Sequence, residues 1–95
     1  MLGNITLDLA FIGVIGIDAI VGPTSHDERE AAVNALMASR ATQAVLVADA
    51  SKIDKRAFAA IGQRRLFSTV ITDAAATDDQ RQRLIDGGYD VIVAE

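Results

Sequence analysis

Cysteine and tryptophan are absent from the sequence, and histidine and proline occur once each. Without cysteine there is no disulfide framework, no thiolate nucleophile and no thiolate zinc site, which fits a cytoplasmic protein. The lone histidine, His26, has no pattern of acidic neighbours at metal-ligand spacing and reads as a solvated loop residue. No Ser/His/Asp or Cys/His arrangement is visible, so neither catalytic residues, a metal nor a cofactor is expected. Basic residues are also in short supply: nine Lys and Arg face thirteen Asp and Glu, a formal charge of −4. Nucleic-acid binding rests on cations neutralising phosphates, so direct contact with DNA is not expected of this chain. The apolar stretch from Ile5 to Val21 has no basic leader and is interrupted by Asp8, Gly13, Gly16 and Asp18. It reads as a buried strand entering a glycine turn, not as a signal or membrane segment.

What is present is a hydrophobic fraction of 51% drawn mainly from Ala, Val, Ile and Leu. That composition suits a buried parallel sheet covered by alanine-rich helices. At 95 residues the chain is one domain or part of one, with a thin core. Ile5 to Ile12 reads as a strand, followed by a strand-to-loop transition over Gly13 to Asp18 and punctuation at Gly22-Pro23. Ser25 and Glu28 stand at capping-box spacing ahead of a helix from about Asp27 to Arg40. Ala44 to Ala48 is a short run suited to a fully buried strand. Asp54 is expected to cap a brief helix carrying Phe58 and Ile61, and Thr69 to Thr72 forms the next strand. Thr77 and Gln80 repeat the capping-box spacing, Gly87-Gly88 closes that helix, and Asp90 to Ala94 supplies a last strand. Alternating strands and helices imply α/β architecture: a parallel sheet with helices on its faces and ligands at the carboxyl ends of the strands. The prediction is that Asp18, Ser51-Lys52 and Thr72-Asp73 share that rim.

Several clusters at this rim have two readings. Gly13 and Gly16 either bring backbone amides close to an anion or simply make a tight turn. Lys52 with Ser51 offers a cation and a directional hydrogen bond for a phosphate, or is an exposed turn lysine. Asp49 binds a ligand or caps the following segment. Glu30 accepts a sugar hydroxyl, or is a helix-start glutamate favoured by the helix dipole. Gln63-Arg64-Arg65 reads more readily as a complement to a helix end than as a phosphate contact.

In order along the chain, DLAFIGVIGID, Gly22-Pro23-Thr24, EREAAVNALM, AVLVADASKI and FSTVITD resemble the C-terminal effector domain of DeoR-type repressors, from Asp8 to about Asp73. The resemblance implies part of the fold shared with ribose-5-phosphate isomerase and the glucosamine-6-phosphate deaminase group. It also implies a pocket lined by Gly13, Gly16, Ile17 and Asp18, with polar contacts from Glu30 and Lys52 flanked by Asp49 and Ser51. The implied effector is a phosphorylated sugar. DNA contact would come from a winged helix-turn-helix domain, which this chain lacks, as it lacks the sensor's first half. The chain is thus expected to be a single, shortened effector-sensing domain, forming a homodimer. Between the two glycines, Ile15 replaces the Asn usual in the repressors, and an apolar side chain cannot move a proton. That argues for a non-enzymatic sensor over two alternatives: a sugar-phosphate isomerase-like fragment and a non-binding oligomerisation remnant.

Overall fold

In a computed structural model, which describes residues 7–62 and 66–94, two sheets share one core. Strand β1 (Leu7–Gly13) leads into a short antiparallel hairpin, β2 (Gly16–Asp18) and β3 (Gly22–Ser25). Helix α1 (Glu28–Arg40) follows and passes directly into β4 (Ala41–Val47). A 3-10 turn (Ala50–Lys52) and the two-residue β5 (Ala59–Ala60) precede β6 (Thr69–Asp73), α2 (Asp78–Asp86) and β7 (Asp90–Ala94).

Strands β1, β4, β6 and β7 lie in that order, all parallel, and form the expected α/β sheet. Register pairs Phe11 with Val45, Val47 with Ile71, and Ile71 with Ile92. Right-handed crossovers that always step in the same direction put both helices on one side of the sheet. On that side Ala10 and Ile12 of β1, Ala44 and Leu46 of β4, and Val70 of β6 are buried, and most of them share a core with Ala31 and Ala38 of α1 and Leu84 of α2. Period-two alternation turns Leu9, Phe11, Val47 and Ile92 to the opposite face, where they are exposed. Parallel sheets are ordinarily covered on both faces; among the described residues this one is covered on one.

Local chemistry accounts for the element ends. Thr77 Oγ1 accepts from the Gln80 amide while Gln80 Oε1 accepts from the Thr77 amide, so the predicted capping box forms. At the other end of α2, the Tyr89 amide donates to Leu84 O at 3.0 Å and the Gly88 amide to Ile85 O at 2.9 Å, with Gly88 at φ 101. This is the Schellman closure, and its glycine occupies the left-handed conformation the motif needs. Tyr89 and Leu84 then meet in the core.

Three expectations are corrected. The cap of α1 is Asp27, whose side chain accepts from the Glu30 amide at 2.8 Å, because Ser25 is already committed as the last residue of β3 and is buried. Gly16–Asp18 and Gly22–Ser25 form a hairpin, not a loop. Asp54 caps no helix: the segment after it is drawn onto the edge of β3, where the Ile61 amide donates to Pro23 O at 2.9 Å and Ala59 pairs with Ser25. Ile61 is still buried, but Phe58 is exposed. The Gln63-Arg64-Arg65 cluster and the first two residues of the expected Ile5 strand lie outside the described residues.

Candidate ligand-binding rim

The carboxyl ends of β1, β4 and β6 bring Gly13, Asp49 and Asp73 to one rim, with Ser51 and Lys52 on the turn that follows β4. A shallow depression of about 160 Å³ opens there between Val47, Ala48, Asp49, Ile71, Thr72, Asp73 and Ala94. Gly13 pairs with Val47, and a Cβ built on it would meet nothing within 4 Å, since it would point to the uncovered face of the sheet, as Leu9 and Phe11 do. Thr72, at the same rim, keeps a buried hydroxyl that finds no hydrogen-bond partner among the described residues.

Asp49 starts the 3-10 turn. Its Oδ1 accepts from the Ser51 amide at 2.9 Å and from the Ser51 hydroxyl. The Ser51 hydroxyl bond is the main reason the Asp49 carboxyl is held below its ordinary range; the Ser51 amide and the ammonium groups of Lys52 and Lys55 add to it, against some desolvation. Among the described residues Lys52 forms no ion pair, and it stands half-buried between the two bonds that close the turn, Lys52 N to Asp49 O and Ile53 N to Ala50 O. Asp73 accepts from the Ala75 amide at 3.1 Å and so begins the loop to α2.

Other predicted positions lie off this rim. Asp18 ends β2 in the second sheet, because the chain turns back in a hairpin after β1 instead of entering a helix. Its Oδ1 accepts from the amides of Val21 at 2.9 Å and Ile20 at 2.8 Å, and Arg56 Nε lies 3.2 Å from Oδ2. The Val21 bond leads in lowering its pKa, joined by Ile20 and Arg56 and opposed by partial burial. Ile17 is fully buried and bridges to Ile53. Gly16 is buried too, and a Cβ there would stand 2.5 Å from Lys55 O, so its bareness admits the chain's own loop. Glu30 is exposed on the first turn of α1.

A larger groove of about 450 Å³ runs between α1 and β5, lined by alanines, Phe58 and Gly62 with Glu28 at its edge. Among the described residues its lining carries no basic side chain, whereas Lys52 stands on the turn that leaves the rim at Asp49; for an anionic ligand the rim is the better candidate. Two contributors had no sequence signal. Thr24, buried in β3, donates to Gly16 O at 3.1 Å and accepts from the Ala57 amide at 2.8 Å, fastening the loop behind the rim. Arg83 of α2 reaches Asp54, in the same loop.

With this geometry in place, the DeoR C terminal sensor domain family matches the chain over residues 1–74. The chain belongs to that family. Among curated proteins it is similar to an HTH-type transcriptional regulator, GlpR, of Haloferax volcanii: 34% identical over 85 residues, covering 90% of this chain and 33% of that one. It is also similar to a putative aga operon transcriptional repressor of Escherichia coli O157:H7, 30% identical over 92 residues, covering 97% of this chain and 34% of that one. The chain thus spans about a third of the length of these relatives, and the family it belongs to is that of a sensor domain. Among the described residues no helix is long and apolar enough to cross a membrane, and no group of three His, Cys, Asp or Glu side chains is placed to hold a metal.

Proposed function

We propose that the sensor domain binds a phosphorylated sugar at the carboxyl rim of its parallel sheet, in the cytoplasm, and that occupancy reports to a DNA-binding segment outside this chain in a regulator of carbohydrate metabolism. The observation that carries this reading is Lys52: an ammonium that forms no ion pair among the described residues, on the turn that follows β4, at the strand-end rim to which β1 brings Gly13. A compact cation next to bare backbone suits a phosphate, and Asp49 and Asp73 are acceptors for sugar hydroxyls. Pockets that enclose a small ligand run to about 300–1,000 Å³, so a depression of about 160 Å³ encloses only part of one and the affinity of this chain alone is weak.

The reading places Gly13, Asp49, Ser51 and Lys52 in direct contact with the ligand. Gly16, Ile17 and Asp18 support that surface from behind, and Glu30 approaches only a ligand that extends toward α1. The domain acts as a sensor and not an enzyme, since Ile15 offers no proton-transfer group between the two glycines. Its homodimer is part of the same proposal; light scattering that gives the mass of one chain at high concentration removes it.

The test is titration of the chain with ribose 5-phosphate, glucosamine 6-phosphate and unphosphorylated ribose, read by calorimetry and amide chemical shifts. Binding of a phosphorylated sugar that is lost in Lys52→Met supports the proposal. Equal response to ribose, or binding indifferent to Lys52→Met, refutes it. Turnover of either sugar phosphate that disappears in Glu30→Ala would establish an enzyme instead.

A further inference from the structure

Resting on the rim reading above, we propose that helix α2 holds the Lys52 turn in its binding orientation, with Gln80 and Arg83 as positioning residues. The turn has little to hold it by itself. It is a single 3-10 turn capped by Ile53, and the next residue, Asp54, is a non-glycine residue at φ 67, a left-handed conformation that costs most L residues energy.

Helix α2 supplies that constraint at both ends of the turn. Ahead of Lys52, Gln80 Nε2 donates to Ala50 O at 3.4 Å, while Oε1 of the same side chain closes the capping box of α2. After Lys52, Arg83 Nε donates to Asp54 Oδ1 at 3.0 Å and Oδ2 at 3.1 Å, and its Nη2 also reaches Oδ2. On the opposite side the Asp54 amide donates to Ile17 O at 2.8 Å. Ser51 and Lys52 are therefore suspended between two anchored residues, and one helix sets both anchors. A forked Arg-carboxylate contact fixes direction as well as distance, which a lysine in its place would not do. Because the pair is largely exposed, its contribution to global stability is small. Its consequence is the orientation of the turn.

The experiment uses the whole chain and compares Arg83→Gln, Gln80→Ala and Arg83→Lys with the parent. Amide hydrogen exchange at Lys52, Ile53 and Asp54 is expected to accelerate about fivefold or more in Arg83→Gln, a smaller change in Arg83→Lys, and no change at Leu46 and Val70 in the core. Unchanged exchange over 52–54 overturns the proposal, and equal acceleration throughout the core overturns it as well. A second arm titrates inorganic phosphate and ribose 5-phosphate. Arg83→Gln should weaken binding in the parent yet add no further loss to Lys52→Met, because it acts through that lysine; an additive loss contradicts the positioning role. Absence of any phosphate response in the parent removes the rim reading, and the exchange data still decide whether α2 holds the turn.

Discussion

Replacing Gly13, the last residue of β1, and Gly16, the first of β2, by alanine should have opposite effects. At Gly16 the new methyl would stand 2.5 Å from Lys55 O, 2.8 Å from Lys55 C and 3.0 Å from Thr24 Oγ1. Carbon contacts settle at about 3.5–4.0 Å, so the loop must retreat by roughly 1 Å. Retreat is resisted on both sides of Lys55: Asp54 N is bonded to Ile17 O and Ala57 N to Thr24 Oγ1, each at 2.8 Å. Overpacking of this kind costs about 1–3 kcal/mol, and loss of one of the two bonds adds about 1 kcal/mol. For a domain of this size each kcal/mol moves Tm by about 4–8 °C, so Gly16→Ala should melt at least about 8 °C lower. At Gly13 the methyl meets nothing within 4 Å, and the residue is not in the left-handed region. Removing unfolded-state entropy there should stabilise by about 0.4–1 kcal/mol. Thermal unfolding followed by circular dichroism reads both. A stable Gly16→Ala, or a Gly13→Ala that melts well below the parent, would refute the assignment of Gly16 to packing and of Gly13 to the uncovered face.

Thr24→Val keeps the shape of a buried side chain but strips the hydroxyl that serves Gly16 O and the Ala57 amide; urea unfolding should show a loss of about 2–4 kcal/mol with Thr24→Ser close to the parent, and a Val variant as stable as the parent would deny the fastening role. Acid unfolding should expose Asp18. Its carboxyl titrates lower in the folded chain than in the unfolded one, so the unfolded state binds the extra proton, and the stabilisation is present above about pH 4 and disappears as pH falls through the folded value. Asp18→Asn should therefore lie below the parent in stability at pH 6, and the gap should narrow as pH falls below about 4; a gap that is constant with pH would contradict this.

Much of the layout was legible because it rests on local chemistry. The run from Ala44 to Ala48 reads as a fully buried strand; β4 forms there with Ala44, Val45 and Leu46 buried, but Val47 is exposed on the uncovered face. Thr77 with Gln80 states a helix start outright. The hairpin was hidden because three residues, Gly16 to Asp18, are too few to show alternation, and Gly22-Pro23 reads as punctuation although it opens β3. Asp54 misled because an acidic residue before an apolar pair looks like a cap; its backbone is left-handed and its partners, Ile17 and Arg83, are both distant in sequence. The rim itself followed from strand order: Asp49, Lys52 and Asp73 come after parallel strands and so arrive together. Asp18 did not follow, since its strand belongs to the other sheet. Which glycine faces solvent and which faces its own loop depends on a contact across some forty residues, and no motif records it.

The most direct test of where the sensor domain takes its ligand is an amide chemical-shift map of the chain during titration with ribose 5-phosphate and glucosamine 6-phosphate. Shifts are expected to cluster at Gly13, Asp49, Ser51, Lys52 and Asp73. Shifts concentrated instead along the α1 groove, at Glu28, Ala35, Phe58 and Gly62, would contradict a binding site at the strand ends.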